Sequence, residues 1–146
     1  VDLSGSKLSG AKLDRANLKW AKFKTSDLAG ISMRSVKAIG ADFTAADLTR
    51  ADFSKANLRL ANFTKANLRG SNMSTTNLTL TRFVGADLTG ARLSRANLRG
   101  ADLSHAEITN INLSGAVCEN TQWTFVTQRF KPRSSVACWS VESGTN

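Results

Sequence analysis

ADFTAADLTRADFSKANLRLANFTKANLRG, residues 41–70, repeats itself every five residues. Each pentad opens on alanine (Ala41, Ala46, Ala51, Ala56, Ala61, Ala66), continues with Asp or Asn, and places Phe or Leu third (Phe43, Leu48, Phe53, Leu58, Phe63, Leu68). A helix of about 3.6 residues per turn would scatter these apolar residues around its whole surface. A plain strand has period two and would send every second one to water. A chain that turns by a fixed angle every five residues keeps them all inside. Four such turns close a square coil of twenty residues, with one large and one small residue per side pointing inward.

The phase holds far beyond this stretch. Of the twenty-five positions at five-residue intervals from 3 to 123, twenty-two are Leu, Phe, Met or Ile, the exceptions being Ala38, Cys118 and Trp123. Two residues earlier the chain is nearly always small, as at Ala11, Ala16 and Ala21, with Ser or Thr as the usual substitutes. Residues 41–70 and ADLTGARLSRANLRGADLS (86–104) carry the signature A(D/N)LXX, and over about residues 1–123 the chain resembles the pentapeptide-repeat family. That resemblance implies an all-β fold, the right-handed quadrilateral β-helix, here of about six coils. It implies little about function, because one fold serves many ends.

If a coil takes twenty residues, residues twenty apart must stack, and like does fall on like. One inward column reads Leu3, Phe23, Phe43, Phe63, Phe83, Leu103, Trp123, and the next reads Leu8, Leu28, Leu48, Leu68, Leu88, Ile108. Among outward columns, Asn17, Asn57, Asn77 and Asn97 suggest an amide ladder. Asp2, Lys22, Asp42, Asn62, Arg82 and Asp102 largely avoid stacking like charges. With coils spaced like neighbouring strands, at ~4.8 Å, six of them make a rod of roughly 29 Å. Between Ile31 and Ala38 the small position becomes large (Ile31, Val36) and the large one small (Ala38), without insertion, so we expect a locally repacked coil. Residues 124–146 leave the pattern. A solenoid needs its open end covered, and Trp123, Phe125, Val126, Phe130 and Trp139 supply apolar surface for a short C-terminal cap and tail, the last residues fraying.

Composition bounds the rest. The chain has 146 residues, 41% of them apolar, enough for one domain with a real core. No apolar run approaches the ~18 residues of a membrane span, so the chain as given is expected to be soluble. It opens at Val1, inside a repeat and without a methionine, which suggests that a segment was cut away there. Tyrosine is absent, and histidine and proline occur once each. His105 stands alone in an outward slot, and one histidine with two cysteines lacks metal-ligand spacing. The glycines fall at the fifth pentad position, where turns want them, and suggest no phosphate loop. The carboxylates follow the repeat rather than pairing for acid–base work. These readings name no catalytic residue, no cofactor, no metal and no small-molecule substrate, and make an enzyme the least favoured class.

Cys118 occupies an inward slot of the last full coil, and Cys138 lies in the tail. A disulfide between them would pin the cap by closing a loop of ~20 residues, worth ~3 kcal/mol in the chain-entropy model. Two separate buried thiols are the alternative, since free cysteine packs as a small hydrophobe. A bridge implies an oxidising compartment, and some members of the family reside in the periplasm or thylakoid lumen. Without it the cytoplasm is expected.

One surface feature stands out. Arg15, Lys55 and Arg95 share a column, as do Lys19, Arg59 and Arg99 on the same side. Each recurs every second coil, about 9.6 Å apart and near a Debye length at physiological salt. Beside them run Trp20, Leu60 and Leu80, with Ile39 nearby, where the family usually places polar residues or glycine. Half a coil away, Lys7, Asp27, Asp47, Asn67, Asp87 and Glu107 form a mainly acidic column. An apolar strip rimmed by Arg and Lys fits an interaction surface; the tail or an N-terminal segment lying on the strip fits it equally. The first reading makes the chain a protein-binding scaffold, with homodimerisation through the strip or the solenoid ends as a variant. A second, carried by the net charge of +9, is binding of nucleic acid or a membrane surface through the basic stripe. Some family members mimic DNA and protect type II topoisomerases, but mimicry needs an acidic rod, which ranks that reading last.

Overall fold

The computed structural model describes residues 1–124 and Cys138. Its repeating unit is the corner. The carbonyl of each third-position residue accepts from the N–H three residues on, as in Ala46 N to Phe43 O (3.0 Å) and Ala96 N to Leu93 O (3.0 Å). Every fifth-position residue from 5 to 120 has positive φ, whether glycine (Gly5, 68°) or not (Ala45, 56°; Leu80, 57°). That is the β-turn whose third residue must enter the left-handed region. A residue with a Cβ is disfavoured there by roughly 1–2 kcal/mol, so most corners of this coil are locally strained.

Contacts between coils hold those corners in place. The second residue of each pentad pairs in parallel with the residue twenty positions on, along four ladders that begin at Asp2, Lys7, Lys12 and Asn17. Most rungs are single-residue bridges, and the ladders give a right-handed quadrilateral β-helix of six coils. Where the first ladder ends, β1 (Asp102–Leu103) pairs in parallel with β2 (Gln122–Trp123). Three backbone bonds per pentad join adjacent coils: Asn62 N to Ala41 O (2.9 Å), Phe43 N to Asn62 O (2.7 Å) and Ala45 N to Thr64 O (3.0 Å) show the pattern. Each side of the rod is therefore a narrow parallel sheet, fixed in register by its neighbours.

Inside, the inward columns stack as their residue types require. Phe23, Phe43, Phe63 and Phe83 lie almost parallel, with centroids 5.1, 4.8 and 5.2 Å apart. Phe53 meets Phe43 and Phe63 edge-on, at 5.7 and 5.8 Å. Offset parallel and edge-to-face pairs are the arrangements that the ring quadrupole favours. The repacked coil is as expected: Ile31, Met33, Val36 and Ala38 are all fully buried, and the ladder runs on through Ser32–Asp52 and Lys37–Asn57. Where Ser or Thr replaces the small alanine, its hydroxyl donates to a carbonyl of the previous coil, as in Thr76 to Phe53 O and Thr121 to Leu98 O, both 2.8 Å. Ser71, equally buried, finds no such partner.

Two expectations need correction or restriction. The amide ladder does not form. The oxygens of Asn57, Asn77 and Asn97 accept instead from the N–H two residues on, at 3.3, 3.1 and 3.2 Å. A bond within its own turn is the shorter reach for an Asn side chain. The cap expected from Phe125, Val126, Phe130 and Trp139 lies outside the described residues. Cys138 is described: it is buried and bonded to Cys118, so the bridge is the alternative that holds.

Candidate interaction surface

The side built on the Asn17 ladder gathers the basic columns. The corner before it carries Arg15, Lys55 and Arg95, the corner after it Lys19, Arg59 and Arg99, and the ladder between them adds Lys37. Sequence reading missed Lys37. Writing that ladder out rung by rung would have found it, since Lys37 interrupts the run of Asn17, Asn57, Asn77 and Asn97. Seven cations thus share a side whose three outward columns contain no carboxylate before Glu119. Here the cations are not all equivalent. Arg99 donates to both oxygens of Glu119, at 2.9 and 3.2 Å, and its guanidinium holds that carboxyl below its usual range. Arg15, Lys19, Lys37, Lys55, Arg59 and Arg95 have no ion-pair partner among the described residues.

Elsewhere on the rod, four cations of the described residues are paired between adjacent coils, among them Arg34 with Asp14 (2.9 Å), Arg69 with Asp87 (2.9 Å) and Lys24 with Asp42 (3.3 Å). Asp14 is the tightest of these. Arg34 and the hydroxyl of Ser32 both donate to it, which pulls its pKa down to about 2. Although Asp14 precedes Arg15 in the chain, its carboxylate is engaged by Arg34.

The apolar strip runs along the corner after the basic side. Trp20, Leu60 and Leu80 are 65%, 39% and 45% exposed, while Ile39 is half-buried and adds less than the sequence suggested. All three exposed residues sit at positive φ (59°, 63° and 57°). From that backbone a long side chain leans along the rod onto the corner of the following coil. Trp20 covers Gly40 and Leu80 covers Gly100; Arg95 lies against Gly115 in the same way, and Arg50 against Gly70. These four large corner residues are each followed one coil on by glycine, whereas Leu60 is followed by Leu80 and Lys55 by Thr75. A glycine one coil on makes room for the side chain that leans over it.

The pentapeptide-repeat profile matches this chain in eight copies, over residues 1–30, 41–79 and 81–117. The chain belongs to the pentapeptide-repeat family. The profile lapses over 31–40, the repacked stretch, where the pentapeptide-repeat fold nonetheless continues unbroken. Among solved structures, the pentapeptide repeat protein Rfr23 from the cyanobacterium Cyanothece 51142 is 24% identical, with a TM-score of 0.63 over 81% of this chain and 91% of that one. A pentapeptide repeat protein from Nostoc Pcc 7120 is 25% identical over 84% of each chain (TM-score 0.48). Another, from the Arabidopsis thaliana thylakoid lumen, is 30% identical over 80% of this chain and 67% of that one (TM-score 0.41). No curated protein matches the sequence.

Chemistry-bearing groups in this pentapeptide-repeat rod are dispersed. His105 is an exposed corner residue at φ 59°. Among the described residues no cluster of His, Cys, Asp or Glu is placed to hold a metal ion, and no helix is long and apolar enough to cross a membrane.

Proposed function

We propose that this chain is a non-catalytic binding module that holds a partner along its basic side and the adjoining Trp20 edge. One observation carries the reading: six unpaired cations and a line of exposed apolar side chains occupy adjacent columns of a rigid solenoid. Elsewhere, Lys22, Lys24, Arg34 and Arg69 are matched with carboxylates across coils. A partner with a negative and partly apolar surface fits this side, whether that surface belongs to a protein, a nucleic acid or a membrane. Mimicry of DNA has no support from a side of this charge.

The test is a photo-reactive side chain at position 57, in the centre of the basic side, compared with one at position 67 on the opposite side, in extract from the native source. Adducts from position 57 alone are expected. Equal labelling from both positions would sink the reading.

The Cys118–Cys138 bond supports a place in an oxidising compartment, the periplasm or the thylakoid lumen. Rapid alkylation of thiols in freshly broken cells should leave both cysteines unmodified. Full modification would return the protein to a reducing compartment.

A further inference from the structure

We infer that the Trp20 edge and the basic side form a docking surface for an anionic lipid bilayer, on which the rod lies side-on; this rests on the binding-module reading above. The edge is convex. It is a corner of the solenoid, along which Trp20, Leu60 and Leu80 stay exposed, and it covers three coil spacings, roughly 14 Å at the spacing of paired strands. A protruding apolar line needs a medium that closes around it, and the boundary between headgroups and acyl chains does so. Tryptophan is the side chain most at home at that depth, its ring in the apolar layer and its N–H among the headgroups.

The charges agree with the shape. Lys19 and Arg59 occupy the position just before the apolar residues, and Lys37 and Lys55 lie further across the same side. With the edge immersed, their long stems can run along the interface while their heads stay among anionic headgroups. The register of the β-helix fixes the spacing of these cations, on three successive coils about 4.8 Å apart along the rod. Lipids diffuse and can gather beneath a fixed pattern of charge, whereas a folded partner must match it from the outset.

Other occupants fit less well. Two copies packed through this edge would bring unpaired cations together. A stable protein interface takes about 800 Å² from each partner around a packed apolar centre, and here three exposed apolar side chains stand in a single line broken by Gly40.

The experiment is co-sedimentation of the full chain with vesicles at physiological salt, using phosphatidylcholine with and without 30% phosphatidylserine, and duplex DNA as a soluble polyanion. Binding to the anionic vesicles alone is expected, with a blue shift of tryptophan emission that disappears in Trp20→Ala. Each cation removed from the basic side should weaken partitioning roughly fivefold, so Lys55→Gln with Arg59→Gln loses about 25-fold. Arg50→Gln with Lys65→Gln, on other corners, carries the same charge change and should lose less than threefold. Far-ultraviolet circular dichroism checks that each variant is folded. Three results would overturn the proposal: no binding to anionic vesicles, equal losses in the two double variants, or an emission shift that Trp20→Ala retains. Tight binding of DNA with vesicles ignored would reassign the side to nucleic acid. Adducts of a protein from position 57, with vesicles ignored, would leave the binding module standing and remove the lipid.

Discussion

The indole of Trp20 lies directly over the α-carbon of Gly40. A Cβ at position 40 would stand 2.8 Å from Cη2 and closer still to Cε3 and Cζ3. Gly40 is also at φ 66°, so two demands fall on one residue, a left-handed backbone and an open face for the ring. Gly40→Ala is expected to destabilise the protein by about 1–2 kcal/mol through the backbone and to expel the indole. Because the displaced ring is a fluorophore, the second effect can be read separately. The emission of Gly40→Ala should differ from that of the parent, and the difference should vanish in a Trp20→Ala background.

Corner strain predicts stabilising substitutions. Thr75 is β-branched, exposed and held at φ 57°, and its hydroxyl bonds only the carbonyl of Ser74. Thr75→Gly should raise stability by about 1 kcal/mol, a shift of about 3 °C in Tm for a chain of this size. Ala46→Gly, one residue beyond a corner and outside the left-handed region, should instead lower it. Calorimetry of the two variants beside the parent tests the assignment.

Ser71 is a buried hydroxyl without a partner, whereas Thr76, Thr81 and Thr121 in equivalent slots donate to the previous coil. Removing an unsatisfied buried hydroxyl is favourable, so Ser71→Ala should gain about 1 kcal/mol. Thr76→Ala should lose a comparable amount, because it removes a buried bond and leaves the carbonyl of Phe53 with only the one from Ala56 N. Urea midpoints of opposite sign for the two alanine variants are the expected result.

Asp14 gives a pH dependence of definite sign. Its folded pKa of about 2 lies below the ordinary 3.8, chiefly because Arg34 and then Ser32 donate to the carboxylate. A depressed carboxylate contributes stability above its unfolded pKa, and that contribution is lost as the pH falls towards 2. Between pH 5 and pH 2 the parent should therefore lose more stability than Asp14→Asn. Other carboxylates, among them Asp27 and Glu119, are depressed as well, so the quantity to compare is the difference between the two proteins.

The fold was legible in the sequence because its cause is local and repeated. A third-position leucine or phenylalanine every five residues fixes the corner angle, and stacking at a separation of twenty follows from closing four corners. That much gave the Phe23–Phe83 column, the burial of Ile31 and Val36 in the irregular coil, and the sharing of one side by Arg15, Lys19, Lys55 and Arg59. The tertiary structure decided what depends on the direction of a side chain relative to the next coil. It turned the oxygen of Asn77 into its own turn rather than up the ladder, joined Arg99 to Glu119, left Lys37 unpaired, and laid Trp20 across Gly40. The physical reason is the left-handed corner. Positive φ aims each fifth side chain along the rod, so its neighbour lies twenty residues on, and the five-residue pattern names that neighbour but not how the two side chains meet.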